Sequence, residues 1–478
     1  MKIYFIGICG TATGNVAILM KKLGHEVLGS DRGMYEPMKS ALANAGVAAR
    51  EGWEPDRIGD FSPDLVVVGN AVSRMNPELE YVLARPELAY TSLPALVGER
   101  LIGRRPSLVA SGTHGKTTTT AIAAFLLKGA GANPGWLIGG IPADLPEGGS
   151  NLGDPSGSPF VIEGDEYDSA FFDKRSKFIH YRPRVLVVNN LEFDHADIFR
   201  DLFDVKRTFT HVRRIVSPLG AIVENGDDEN IASLEPTPWV RRLKVGFGGG
   251  CDVRISGFVQ SGESSSFRLS GFGVEKCVEW PLAGEFNARN AAMAIVGASL
   301  AGGFANPLAV PADCLANFRG VRRRQEVLLA SAQVVAVEDF GHHPTAIALT
   351  VESLRKKYPQ FKIWACFEPR SNTAKRNVMQ DRFARALASA DRAFIGSADV
   401  SKVAPELRVD TSAMADLDPS KIRAFGSNPA LLESLESAVR AETAAGGKVL
   451  CAFFSNGSFD GIHRRFAEDF RVGCETKA

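Results

Sequence analysis

The sequence predicts an α/β protein of three domains. Its 478 residues exceed one ordinary core, since about 150 residues per domain gives roughly three domains. Short apolar runs of strand length alternate with stretches of helical periodicity, which is typical of parallel sheets covered by helices. Two interruptions of this alternation divide the chain into residues 1–104, 105–319 and 320–478.

Composition excludes several classes of function. Lys plus Arg and Asp plus Glu are both 55, so no global field attracts nucleic acid or an anionic membrane. No apolar run approaches the roughly 18 residues of a membrane helix. The seven cysteines form no CxxC pair, so no disulfide framework or zinc site is indicated. The chain enters its first predicted strand without a signal-peptide pattern. We therefore expect a cytoplasmic protein.

The first domain has a βαβ pattern. Lys2–Ile6 predicts a strand, a helix extends to about Leu23, and Glu26–Leu28 and Asp64–Val68 predict two further strands. This order predicts a Rossmann-like sheet with helices on both faces.

Loops at the strand ends of this domain form a weak candidate nucleotide site. Its glycine spacing is not GxGxxG, which argues against NAD. Asp31 follows the second strand, where a ribose-binding carboxylate lies in dinucleotide folds. A plain tight turn explains the glycines equally well. The candidate residues are Gly7, Gly10, Thr11, Asp31, Asn70 and Ala71.

The central domain opens with the strongest chemical signal. A predicted strand, Ser107–Ala110, leads through a Gly-rich loop into an apolar-periodic helix, which is the context of a phosphate loop. Lys116 would reach the outer phosphates, and the Thr117 hydroxyl could hold Mg²⁺. Ala110 stands where the general pattern has its first glycine. The candidate ATP-binding residues here are Gly112, Thr113, His114, Gly115, Lys116, Thr117 and Thr118.

Two polar clusters follow predicted strands farther along this domain. Glu163 opens an acidic cluster after the strand Phe160–Ile162, and His195 closes a polar cluster after the strand Val185–Val188. Hard oxygen ligands with one imidazole suit Mg²⁺ bridging phosphates. The sequence therefore predicts a magnesium site built from Thr117 and these two clusters, although the acidic cluster alone would favour a solvated turn and His195 alone a satisfied loop histidine.

The sequence pattern changes in the rest of the central domain. Residues 245–280 are Gly- and Ser-rich and alternating, which predicts an antiparallel β insertion, and a helix follows from Asn287 to about Leu300. The domain is therefore predicted to be P-loop ATPase-like with an antiparallel insertion.

The third domain is also predicted to be Rossmann-like. Strands are predicted at Val334–Val337, Ile363–Cys366, Ala393–Ile395 and Val449–Phe453. Three consecutive arginines at 322–324 usually mark a solvated face. Arg370 in a strand-end loop and paired histidines before a helix indicate a substrate wall.

Several of these segments resemble the Mur ligases, the ATP-dependent amide-forming enzymes of bacterial peptidoglycan. Gly112–Thr119 resembles their ATP loop, which tolerates Ala at position 110, and Gly284–Ala291 resembles their adenine-contacting segment. The resemblance covers essentially the whole chain and implies further ATP contacts and the metal ligands. These are Asn287 and Asn290 for adenine, Arg324 for phosphates, Asp339 for ribose, and Glu163 and His195 for Mg²⁺. One departure is Phe286, where relatives commonly carry His.

The resemblance also implies substrates. Asp339–Thr345 points to the branch that acts on UDP-N-acetylmuramate, so the first domain would bind the UDP-sugar. Other segments, including Glu368–Thr373, resemble the ligase of cell-wall recycling that adds L-alanyl-γ-D-glutamyl-meso-diaminopimelate. The alternative is the biosynthetic ligase that adds L-alanine. Arg370, Ser371 and Asn372 would contact the peptide.

The implied mechanism passes through an acyl phosphate made from ATP. Catalytic roles are expected for Lys116, His195, Arg324 and His343. The expected partners are the two small-molecule substrates, without nucleic acid or membrane, in a monomer or weak homodimer. Without the resemblance, the residues leave two other functional classes open. One is a P-loop kinase, and the other is a nucleotide-binding switch that binds ATP but has no turnover without a partner.

Overall fold

The computed structural model describes residues 1–475, with side chains through residue 471, and contains three sheets. The N-terminal sheet is parallel in the order β3-β2-β1-β4-β5. Its strands are β1 (Lys2–Ile6), β2 (Glu26–Asp31), β3 (Ala48–Glu51), β4 (Leu65–Val68) and β5 (Tyr90–Ser92). Its helices are α1 (Thr11–Lys22), α2 (Met38–Asn44), α3 (Asp56–Phe61), α4 (Pro77–Leu83) and α5 (Leu93–Leu96), followed by a π-helix at Val97–Ile102.

The strand order of this sheet explains where its crevice lies. β1 and β4 are continuous apolar runs because helices cover both of their faces. The order reverses between these two strands, so the loops after Ile6 and Val68 diverge and leave a crevice at the carboxyl edge.

The central sheet has ten strands in the order β15-β14-β13-β12-β11-β10-β6-β9-β7-β8. The strands are β6 (Ser107–Ser111), β7 (Gly135–Leu137), β8 (Ser150–Asn151), β9 (Phe160–Gly164), β10 (Val185–Val188), β11 (Ala221–Asn225), β12 (Arg241–Gly246), β13 (Val253–Ser261), β14 (Ser264–Gly271) and β15 (Val274–Trp280). The helices are α6 (Lys116–Gly129), α7 (Leu202–Arg214), α8 (Glu229–Ala232) and α9 (Glu285–Ala301), with 3-10 turns at Lys177–Tyr181 and Asp313–Asn317. β6 is flanked by parallel β9 and β10, so the loops after these three strands meet at one edge.

The antiparallel insertion starts later than residue 245. β12 pairs in parallel with β11, and the antiparallel part begins where β13 turns back into β14. Val245 is a buried residue of the parallel strand β12, and the first residues of β13 also pair in parallel with β12.

The C-terminal sheet has six strands in the order β16-β17-β21-β18-β19-β20, with only the edge strand β16 antiparallel to its neighbour. The strands are β16 (Glu326–Ala330), β17 (Val334–Asp339), β18 (Lys362–Phe367), β19 (Arg392–Ile395), β20 (Ile422–Ala424) and β21 (Val449–Phe454). The helices are α10 (Pro344–Lys357), α11 (Gln380–Ala388), α12 (Thr411–Asp416), α13 (Asn428–Ala444) and α14 (Ile462–Glu475), with 3-10 turns at Asn377–Met379, Pro405–Leu407 and Phe459–Gly461.

The connection between the second and third sheets contacts both of them. Arg322 N–H donates to the carbonyl of Ile141 at 3.0 Å, and Phe340 N–H donates to the carbonyl of Arg323 at 2.7 Å. The expected boundaries at 104/105 and 319/320 fall in connections between sheets. Within residues 1–475, none of the helices combines the length and apolar character needed to cross a membrane.

Candidate active site

The phosphate loop lies between β6 and α6. Gly112 and Gly115 have φ angles of +131° and +83°, which residues with a side chain rarely adopt. A Cβ on Gly115 would also lie 2.7 Å from Asn290 Oδ1. Ala110, by contrast, is a buried residue of β6, so this position needs no glycine. The backbone is therefore shaped as a loop only from Gly112 onward.

Lys116 starts α6 and lies in an acidic surrounding. Its Nζ donates to the carbonyl of Gly112 at 2.8 Å and to Glu166 Oε2 at 3.0 Å, with Asp165 Oδ1 3.9 Å away. Burial alone would lower the pKa of Lys116, but the charges of Glu166 and Asp165 outweigh it and raise the pKa. The ammonium therefore stays protonated and can meet phosphate oxygens.

Thr117 connects the phosphate loop to two other segments. Its hydroxyl donates to Glu163 Oε2 at 2.9 Å and accepts from Arg324 Nη2 at 3.2 Å. Burial, together with repulsion from Asp165, raises the pKa of Glu163. A cation beside this carboxylate would relieve both effects. The hydroxyl and carboxylate oxygens fit Mg²⁺, which usually takes one or two protein ligands and completes its shell with phosphates and water.

His195 does not join Thr117 and Glu163. Its Nε2 lies 3.2 Å from Glu166 Oε1, so Glu166 lies between Lys116 and His195. Burial alone would lower the pKa of His195, but the hydrogen bond and charge of Glu166 raise it. Among the described residues, no group of three or more His, Cys, Asp or Glu side chains could hold a metal ion. The structure thus brings two of the three predicted metal ligands together.

A narrow cleft, with a volume of about 100 Å³, runs between the phosphate loop, the start of α9 and the end of β17. Asn287 donates to the carbonyl of Ala283 at 2.8 Å, and its Oδ1 accepts from Asn290 Nδ2 at 3.3 Å, so these amides are held in place. Asp339, the last residue of β17, is buried and lines the same cleft. The lining includes the predicted ATP-binding residues His114, Gly115, Thr118, Asn287, Asn290, Arg324 and Asp339, together with Phe286.

A larger cavity of about 820 Å³ extends from the N-terminal crevice to the central sheet. Asp31 fixes its glycine loop by accepting from the backbone N–H of Cys9 at 2.8 Å. Glu163 and Asp165 line the far end. All six residues predicted for the UDP-sugar line it: Gly7, Gly10, Thr11, Asp31, Asn70 and Ala71. Thr117 and Glu163 therefore lie where this cavity approaches the cleft.

The three predicted peptide residues have different surroundings. Arg370 is half-exposed and its Nη1 lies 3.7 Å from Glu368 Oε1. Ser371 Oγ accepts from the N–H of Ala374 at 3.0 Å and so closes a turn. Asn372 donates to Asp197 Oδ2 of the central domain at 2.7 Å. Arg370 is the charged residue of the three, and its side chain is half-exposed.

His343 is buried rather than open to substrate. Its Nδ1 accepts from the N–H of Thr345 at 3.3 Å and caps α10, and its Nε2 lies 3.2 Å from the carbonyl of Phe193. Burial lowers the pKa of His343 to about 4. Nδ1 of the neutral ring is engaged within the C-terminal domain and Nε2 contacts the central domain, which leaves neither nitrogen for proton transfer in this conformation.

Sequence reasoning missed three groups of this site. Glu166 lies inside the predicted acidic cluster, but nothing local distinguishes it from Glu163. Lys177 lines the larger cavity and its Nζ donates to Asp165 Oδ2 at 2.9 Å, a pairing that only the tertiary fold creates. Glu192 contacts His114 of the phosphate loop and Thr345 of the C-terminal domain, again across long sequence separations.

The alignments with similar known proteins extend over nearly the whole chain. Residues 2–100 match the family model "Mur ligase family, catalytic domain", and residues 110–298 match "Mur ligase middle domain". The UDP-N-acetylmuramate–L-alanyl-γ-D-glutamyl-meso-2,6-diaminoheptandioate ligase of Escherichia coli K12 is 38% identical over 99% of both chains. The ligase of that name from Haemophilus influenzae is 37% identical over 98% of this chain and 99% of its own.

Solved structures agree with these sequence matches. The crystal structure of a murein peptide ligase from Psychrobacter arcticus is 33% identical, covers 98% of both chains and superposes with a TM-score of 0.71. The matches extend over the two cavities and the phosphate loop described above. This chain therefore belongs to the Mur ligase family.

Proposed function

We propose that this chain is an ATP-dependent, ADP-forming ligase that joins UDP-N-acetylmuramate to L-alanyl-γ-D-glutamyl-meso-diaminopimelate. One observation carries the proposal: a chain of hydrogen bonds joins the two cavities. Glu163, which lines the larger cavity, accepts from the Thr117 hydroxyl, and that hydroxyl accepts from Arg324, which lines the nucleotide cleft. A sugar carboxylate at the end of the larger cavity and a terminal phosphate on the loop would meet at this contact. The similarity to two ligases named for this tripeptide supports the choice of acceptor.

The proposed reaction has two bond exchanges. The lactoyl carboxylate oxygen attacks the γ-phosphorus of ATP, the bond to the ADP oxygen breaks, and an acyl phosphate forms. The peptide amine then attacks the acyl carbon, loses a proton and expels phosphate. Two anions must approach each other in the first exchange, so charge neutralisation dominates catalysis. Lys116, whose Nζ contacts the phosphate-loop carbonyl of Gly112, and Arg324, which donates to the Thr117 hydroxyl, supply positive charge here.

Thr117 and Glu163 would hold Mg²⁺ here, which would supply Lewis-acid charge neutralisation at the phosphates. His195 would join as a ligand only after exchanging its Glu166 partner. We propose no acid–base role for His343. Its engaged, neutral ring suits domain docking instead, which revises the catalytic role expected from the sequence.

The domains divide the substrates in this proposal. Residues 1–104 bind the UDP-sugar, 105–319 bind ATP, and 320–478 contribute the peptide contacts and close over the nucleotide. We further propose that the enzyme works in the cytoplasm as a monomer or weak homodimer, without nucleic acid.

The test supplies the purified chain with ATP, Mg²⁺ and UDP-N-acetylmuramate, plus either the tripeptide or L-alanine. ADP release is followed and products are weighed by mass spectrometry. We expect a tripeptide adduct and little alanine adduct. Predominant alanine adduct would replace the proposal by the biosynthetic ligase, and ADP release without either adduct would reject both acceptors.

The matched variants lie on one helix. Lys116→Ala should lower turnover by about 10³-fold or more, because it removes charge from the developing phosphoryl anion. Lys128→Ala removes a lysine from the other end of α6, where it pairs with Glu147, and should keep wild-type turnover. Equal rates in the two variants would contradict the assignment of the phosphate loop.

A further inference from the structure

Glu192 lies in the loop after β10, between the phosphate loop and the third domain. Its two carboxylate oxygens face different partners. Oε1 lies 3.3 Å from His114 Nε2 of the phosphate loop. Oε2 accepts from the Thr345 hydroxyl at 2.8 Å and from Arg382 Nη2 at 2.9 Å, both in the C-terminal domain.

The hydrogen-bond directions fix how His114 meets this carboxylate. Asn190 Nδ2 lies 3.0 Å from His114 Nδ1, and because an amide nitrogen only donates, Nδ1 must accept. The proton of a neutral ring is then on Nε2 and points to Glu192. The backbone strengthens the link, since Glu192 N–H donates to Thr113 Oγ1 at 2.8 Å. Two hydrogen bonds therefore connect Glu192 to the phosphate loop.

The carboxylate is ionised in this setting. Burial alone would raise the pKa of Glu192, but the hydrogen bond from His114 and nearby charges lower it to about 2. A charged acceptor makes stronger hydrogen bonds than a neutral one. Glu192 can therefore bind Arg382 and Thr345 while it holds His114.

These contacts lie next to a cleft that must open. The cleft volume of about 100 Å³ is well below the roughly 300–1,000 Å³ of pockets for drug-sized ligands. A nucleotide therefore needs the C-terminal domain to move away from the phosphate loop and to return for catalysis. The return places Arg324 at Thr117.

We propose that Glu192 is a positioning residue that couples the phosphate loop, through His114, to docking of the C-terminal domain, through Thr345 and Arg382. This inference rests on the proposed ligase function. Its consequence is that loss of the Glu192 charge slows turnover by loosening the docked state. Affinity for the UDP-sugar, which the other cavity holds, stays unchanged.

The experiment compares Glu192→Gln, Arg382→Gln and the double variant. We expect each single variant to lower kcat by about tenfold and to leave KM for UDP-N-acetylmuramate within about twofold. The double variant should be at most about twofold slower than Glu192→Gln, because the two single changes remove the same coupling. Multiplied losses would overturn the proposal.

A second readout does not depend on turnover. Small-angle X-ray scattering should give Glu192→Gln a larger radius of gyration than wild type, since the C-terminal domain docks less. The matched control is Glu442→Gln, which breaks a 2.6 Å ion pair with Lys362 inside the C-terminal domain. The control should keep wild-type scattering and turnover. Wild-type scattering for Glu192→Gln, in a folded variant, would overturn the coupling even if the substrates were different.

Discussion

Arg370 shows how one residue's role depends on its immediate neighbours. Its guanidinium is half-exposed at the end of β18, beside Glu368. Gly457 makes room for it: a Cβ there would lie 1.9 Å from Arg370 Cδ. The side chain therefore reaches its position only because residue 457 has none. A planar guanidinium in this position suits a peptide carboxylate.

We predict that Arg370→Ala raises KM for the tripeptide by about tenfold and leaves KM for ATP within about twofold, because the variant would lose the proposed contact to the peptide and none to ATP. Gly457→Ala keeps the charge but displaces the side chain, and should shift the same KM in the same direction. Steady-state kinetics with each substrate varied checks this. Equal changes in both KM values would argue against a peptide-carboxylate role.

At the scale of elements, the phosphate loop shows that the general motif has glycine at a position where the backbone does not require one. Ala110 belongs to β6, whereas Gly115 ends the loop with φ +83° next to Asn290. A non-glycine residue forced into this region costs about 1–2 kcal/mol. The glycine that the general pattern places first is therefore dispensable, and the last one is not.

The expected result is that Gly115→Ala raises KM for ATP by about tenfold, the equivalent of about 1.4 kcal/mol. Ala110→Gly should leave KM for ATP unchanged and lower stability by about 1 kcal/mol, as glycine inside a strand does. ATP titrations and thermal unfolding of both variants test the contrast. An unchanged KM in Gly115→Ala would show that the loop relaxes around the new methyl group.

Strands that are apolar on both faces were predictable from sequence. Lys2–Ile6 and Val185–Val188 have the predicted bounds. Edge strands were not: β8 has two residues and carries no apolar run. The site divides in the same way. Gly112 and Lys116 follow a local pattern, whereas Lys177 and Glu192 gain their partners from segments far away in the chain.

For the whole molecule, hydrogen bonds of both neutral and charged side chains connect the third domain to the central domain. His343 bonds the carbonyl of Phe193, and Thr373 donates to Asp194 Oδ1 at 2.6 Å. The folded-state pKa of His343, about 4, is below the ordinary value of about 6.5. The unfolded state therefore binds the extra proton first, and stability falls as pH drops from about 6.5 towards 4.

Wild type should lose about 2 kcal/mol more stability between pH 7.5 and pH 5 than His343→Asn, whose asparagine also caps a helix but does not titrate. Denaturant unfolding at the two pH values measures the difference. A parallel pH dependence in the two proteins would show that His343 does not titrate in this range.

The position of β6 has a consequence for synthesis of the chain. The strands of the first sheet all precede residue 93, so that sheet can assemble early, but β6 pairs with β9 and β10, which begin at Phe160 and Val185. At about 5–20 residues per second, a ribosome needs roughly 3–10 seconds to supply the first partner. Throughout this interval the apolar strand that carries the phosphate loop lacks both partner strands, so we expect the nascent chain to be open to aggregation and to chaperones at that stage.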